Sequence, residues 1–169
     1  MAAVLALVLA CCSPSGGQQQ AAQGNGLAPA LDLETAAIER GLVRDPRDTE
    51  VAGLYARDTD RLCVVEDDVG YRVGAFVDYG AGITCSGSGR LTRVANRLHV
   101  DFGEQTGCSF DARFEGDRIV FPGQVPDGCA ALCTGRASFA GMDMTLLSES
   151  RAEAAALRDS RGKLMCPGG

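Results

Sequence analysis

Between Gly53 and Leu147 the chain alternates apolar and polar residues with a period of two, which limits its fold more than any other feature. Tyr71, Val73, Ala75, Val77 and Tyr79 fall on one face of an extended segment, with Arg72, Gly74, Phe76 and Asp78 on the other. Leu98, Val100 and Phe102 oppose His99, Asp101 and Gly103 in the same way. Phe110, Ala112 and Phe114 oppose Ser109, Asp111 and Arg113. Glu115-Gly116-Asp117 turns the chain into Arg118–Phe121, and Asn96-Arg97 separates Leu91–Ala95 from Leu98–Phe102. With Gly53–Arg57, Arg61–Val65 and Ala137–Leu147, the pattern predicts an antiparallel meander of about seven to eight short strands. Half-buried strands joined by tight turns favour a small barrel or strongly curved sheet over a βαβ fold.

Helices are expected only at the two ends of this mostly β domain. Leu31, Thr35, Ile38 and Leu42 lie at helical spacing, so a short N-terminal helix is expected over Leu31–Arg40 with Gly41 as its cap. Asp45-Pro46-Arg47-Asp48 reads as a turn. Ser150 and Glu153 fit a capping box, and Ala152–Arg161 is rich in helix formers up to Gly162. That C-terminal helix is expected to pack on the sheet.

The N-terminal region reads as an address. Met1–Ala10 is an apolar run, too short to cross a bilayer as a helix, which takes roughly 20 residues, but long enough for a signal-peptide core. No Lys or Arg precedes it. Val8-Leu9-Ala10-Cys11 resembles the lipobox of bacterial lipoproteins: an aliphatic residue, a tolerant position, a small residue and the acceptor cysteine. The resemblance implies cleavage before Cys11, acylation of its thiol and new amine, and a membrane anchor; Cys12 is the alternative acceptor. Residues 1–10 are then a signal peptide, and 11–30 a lipidated cysteine and tether. Ser13–Gly26 carries no charge and few core-forming side chains, as expected of a disordered spacer. A flexible chain of about 19 residues spans about 25 Å, enough to hold a domain off a membrane. In that family an Asp after the acylated cysteine favours the inner membrane. Cys12 stands there instead, which points to the periplasmic face of the outer membrane.

Residues 31–169 form the expected single β-domain, and six of the chain's eight cysteines lie within it. In an oxidising compartment an even set reads as disulfides. Six cysteines allow fifteen connectivities. Topology suggests Cys129–Cys133 as a local turn, Cys85–Cys108 as a clasp over the Leu91–Phe102 hairpin, and Cys63–Cys166 as a tie to the C-terminal helix.

The same residues restrict the chemistry. Cys129-x-x-x-Cys133 with one distant His makes a poor zinc set, and the C-x-x-C redox spacing is absent. No metal or cofactor is expected. His99 reads as a surface or half-buried strand residue. Ser86-Gly87-Ser88-Gly89 lacks the register of a nucleophile elbow and the Lys of a phosphate loop, and reads as a kinked strand or a loop. Asp58, Asp60, Glu66, Asp67 and Asp68 lack the spacing of a calcium loop and read as solvated turns. Tyr71 and Tyr79 fit either a core or the lining of a cavity. A net charge of −6, from 16 basic and 22 acidic residues, argues against nucleic acid. Within that acidic chain Arg90, Arg93 and Arg97 form a candidate basic patch near one hairpin, suited to an anionic headgroup or an acidic partner.

With no convergent acid, base or nucleophile, the leading expectation is a non-catalytic, lipid-anchored periplasmic domain. Its partners would be the membrane and an envelope protein. Two other readings stand beside it: a lipocalin-like carrier of a small apolar ligand, and a hydrolase using carboxylates of the Asp58–Asp68 cluster.

Overall fold

The computed structural model describes residues 32–43, 45, 49–103 and 105–167. Residues 1–10, the tether 11–30 and the acceptors Cys11 and Cys12 lie outside the described residues. The expected mostly β architecture is present. Eight antiparallel strands run β1 Gly53–Arg57, β2 Asp60–Asp67, β3 Gly70–Asp78, β4 Thr84–Val94, β5 Arg97–Asp101, β6 Ser109–Phe114, β7 Arg118–Val120 and β8 Asp143–Ser148. Each pairs with the next in sequence, and β1 pairs with β8, so the sheet closes into an up-and-down barrel with no free edge.

Alternation decides what enters the barrel. Tyr55, Leu62, Val64, Val73, Ala75, Val77, Leu98, Val100, Ala112, Phe114, Ile119 and Met144 point inward and are buried in one continuous cluster. One end is plugged by rings: Phe102 lies 5.1 Å from Phe139 and 6.0 Å from Phe110, which lies 4.9 Å from Phe121. At the other end Arg93 stacks over the Phe114 ring at 4.8 Å, and the Tyr55 hydroxyl donates to Val51 O at 2.8 Å. The interior is therefore a packed core.

The outer face of β2 and β3 is buried as well. Helix α2, Arg151–Ala155, and the segment up to Cys166 cover it, gathering Cys63, Val65, Phe76, Ala154, Met165 and Cys166 into a second cluster. The Ser150 hydroxyl caps α2 by accepting from Glu153 N–H, as the capping box predicts. The helix stops well short of Arg161. Buried Asp159 gathers the following loop instead, its Oδ1 accepting from Arg161 N–H and Lys163 N–H at 2.9 Å and its Oδ2 from Ser86 Oγ at 3.0 Å. A helix running on through this stretch could not return Cys166 to Cys63 on β2. Helix α1, Leu33–Glu39, forms where the spacing places it but buries none of its side chains.

The disulfides are Cys63–Cys166, Cys85–Cys133 and Cys108–Cys129. The C-terminal tie is present, and the other two expected pairs, Cys85–Cys108 and Cys129–Cys133, are exchanged. The reason lies in the long β7–β8 connection, which contains a 3-10 helix over Asp127–Leu132. At three residues per turn, positions four apart point in different directions, so Cys129 and Cys133 cannot face each other. Cys129 meets Cys108 ahead of β6, while Cys133 bridges to Cys85, where β4 extends beyond the end of β5. The two bonds staple this connection across the ring-plugged end. Its last part, Ala137–Met142, is not strand as the alternation suggests, because Phe139 folds in to complete the plug and β8 starts at Asp143.

Candidate functional site

An open wall of the barrel is formed by the outer face of β5, β6 and the second half of β4, whereas Ser86 and Ser88 in the first half of β4 lie under the C-terminal segment. Register sets its side chains in rows: Arg90, Asp101 and Ser109; Thr92, His99 and Asp111; Val94, Arg97 and Arg113. His99 and Asp111 are direct cross-strand partners, and Ser109 lies two residues from Asp111 on the same face. These three side chains are linked in a chain. His99 Nδ1 lies 2.9 Å from Asp111 Oδ1, and Ser109 Oγ lies 3.1 Å from His99 Nε2. Arg97 approaches the other Asp111 oxygen at 3.8 Å. The chain's single His is thus held at both ring nitrogens while its side chain remains 54% exposed.

The alternation placed Ser109, Asp111 and His99 outward, which was the signal available in the sequence. What it could not supply was register. One residue of slip between β5 and β6 would break the His99–Asp111 pairing.

The candidate basic patch does not assemble. Arg93 has the parity of Leu91 and turns into the barrel mouth, donating from Nε to Ala95 O at 2.8 Å and from Nη1 to Thr49 O. Arg90 and Arg97 stay outward but stand beside carboxylates. Arg97 meets Asp111, and Arg90 pairs in register with Asp101. Arg90 also reaches Asp67 electrostatically. The Asp67 carboxyl is held below its ordinary range first by the Arg72 hydrogen bond, then by Asp68 N–H and the nearby guanidinium charges.

The acidic cluster is divided as well. Asp58 and Asp60 lie at the β1–β2 turn, whereas Glu66, Asp67 and Asp68 lie at the far end of β2, about 20 Å away at 3.3 Å per residue. Burial raises the Asp60 carboxyl above the usual range, against an opposing hydrogen bond from Asp78 N–H at 3.1 Å. That bond ties β2 to the end of β3. Tyr71 packs against the core, while Tyr79 lies beyond β3 and is 60% exposed, so the two tyrosines do not line one cavity.

A groove of about 770 Å³ lies outside the barrel, between the α1 region and the start of β1, lined by Ile38, Val43 and Ala52 together with Glu50, Glu149 and Arg151. Side chains fill the barrel interior, so the space this groove offers lies outside it. Among the described residues no group of three or more His, Cys, Asp or Glu is placed to hold a metal ion. Comparison with protein-family models, curated proteins and solved structures returns no match for this chain.

Proposed function

We propose that the chain is an exported domain, held to a bacterial membrane through acyl groups on Cys11, that binds an envelope partner on its outer barrel wall. The observation that carries the reading is the pairing of all six domain cysteines, buried or half-buried, in three disulfides. Such a framework fits an oxidising compartment outside the cytoplasm. The lipobox-like tetrad Val8–Cys11 supplies the route there, and the outer-membrane periplasmic face is the preferred destination. A filled, closed barrel leaves its surface as the place for recognition. The β4–β6 wall offers charged and hydrogen-bonding side chains on a rigid backing.

The test is metabolic labelling of the full chain with an alkyne fatty acid in a Gram-negative host. Label and membrane fractionation should survive Cys12→Ser and be lost in Cys11→Ser. A soluble, unlabelled mature protein would overturn the anchor.

A further inference from the structure

Beyond binding, we propose that Ser109 is an activated nucleophile that accepts acyl groups from esters reaching the outer wall of the barrel. The connectivity is that of a serine–histidine–carboxylate relay, a constellation defined by geometry and roles rather than by fold or chain order. An acceptor at Asp111 Oδ1 places the imidazole hydrogen on Nδ1, which leaves the Nε2 lone pair facing Ser109 Oγ. Both contacts are within the reach required between a nucleophile, its base and the group orienting that base. Two neighbouring strands fix all three side chains, and Cys108, beside Ser109, is tied to Cys129. The relay is therefore organised before any substrate arrives.

In the reaction Ser109 Oγ attacks the ester carbonyl carbon and passes its proton to His99 Nε2. The tetrahedral intermediate collapses, the bond to the alcohol oxygen breaks, and the alcohol leaves with that proton. A water molecule, deprotonated by the same nitrogen, then cleaves the acyl-serine, releasing the carboxylic acid and restoring Ser109. The wall is open and convex, so it suits small activated esters or esters displayed on an extended molecule rather than a ligand enclosed in a pocket.

Full-length protein is treated with a fluorophosphonate probe and, separately, with p-nitrophenyl acetate. Peptide mass spectrometry should place the phosphonyl group on Ser109. Ester turnover should fall to the buffer rate in Ser109→Ala and drop by on the order of 100-fold in His99→Gln. Asp111→Asn should lower both rates. These positions are solvent-facing, and a melting curve for each variant confirms that the fold is intact. The proposal is overturned if the probe labels exposed serines without preference for Ser109, or if His99→Gln reacts at the wild-type rate. Either result would leave fatty-acid labelling at Cys11 unchanged.

Discussion

Gly74 faces outward from β3, and a Cβ built there would lie 2.6 Å from both the Cβ and the backbone oxygen of Met165. Any side chain at this position pushes the C-terminal segment off the barrel. Gly74→Ala should therefore cost about 1–3 kcal/mol, read from chemical denaturation, with limited proteolysis cutting first near Met165. Asp159 holds the same segment from its other side. Burial pushes its carboxyl up, but hydrogen bonds from Lys163 N–H, Ser86 Oγ and Arg161 N–H, with the Arg161 charge, hold it below the ordinary 3.8. A folded-state value below the unfolded one gives stability that is complete above about pH 4 and is lost as pH falls through the folded value. Asp159→Asn should destabilise the protein by about 1–3 kcal/mol at neutral pH and flatten the acid limb of its stability curve. A variant with an acid limb as steep as the wild type would show that Asp159 does not contribute this pH dependence. Arg93 turns inward where Arg90 and Arg97 on the same hairpin do not. Its parity with Leu91 separates it from Arg90 on the same strand, while Arg97 faces outward because it stands on β5 opposite Val94.

At the scale of elements, the strands were readable because half-buried strands write their own period into the chain. Burial in β6 runs in strict alternation, with Phe110, Ala112 and Phe114 inside. Helix α2 shows the limit of that approach. Ala154 to Leu157 favour helix by intrinsic propensity, yet the chain leaves it at Ala156 because Leu157 O accepts from Met165 N–H and Asp159 caps the loop. Propensity cannot register a partner eight residues ahead, at Met165. The Ser109–His99–Asp111 relay was hidden for the same kind of reason, since it depends on strand register rather than on spacing along the chain. The cysteines could be assigned to disulfides from number and compartment, but two of the pairings depend on the direction each side chain takes around the 3-10 helix. Peptide mapping without reduction should recover Cys85 joined to Cys133 and Cys108 joined to Cys129. Removing the Cys63–Cys166 bond by double serine substitution relaxes a loop of 103 residues and should cost up to about 4–5 kcal/mol in the chain-entropy account. The C-terminal segment should then become the first site of proteolysis, while β4 to β6 keep their amide protection.

For the whole molecule, the decisive property is that the barrel is closed and full. An eight-stranded barrel has an interior just wide enough either to be filled by side chains or to hold one small ligand. Here the plug of Phe102, Phe110, Phe121 and Phe139 occupies one end and Phe114 with Arg93 the other. Under the proposed binding role, recognition would fall to the outside, where the α2 side is already covered by the C-terminal segment and β5, β6 and the second half of β4 face solvent. The same filling makes an internal carrier role dependent on removing core volume, which can be measured. Leu98 is fully buried and points to the centre from β5. Leu98→Ala should cost about 2–5 kcal/mol and leave a dry, apolar void. Benzene should raise the melting temperature of that variant and leave the wild type unchanged, because binding stabilises only a folded state that has a site to offer. If benzene or a short alkane stabilised the wild-type protein by the same amount, the wild type would have an apolar site of its own, in the interior or in the groove beside α1. The carrier reading would then displace the surface as the seat of binding.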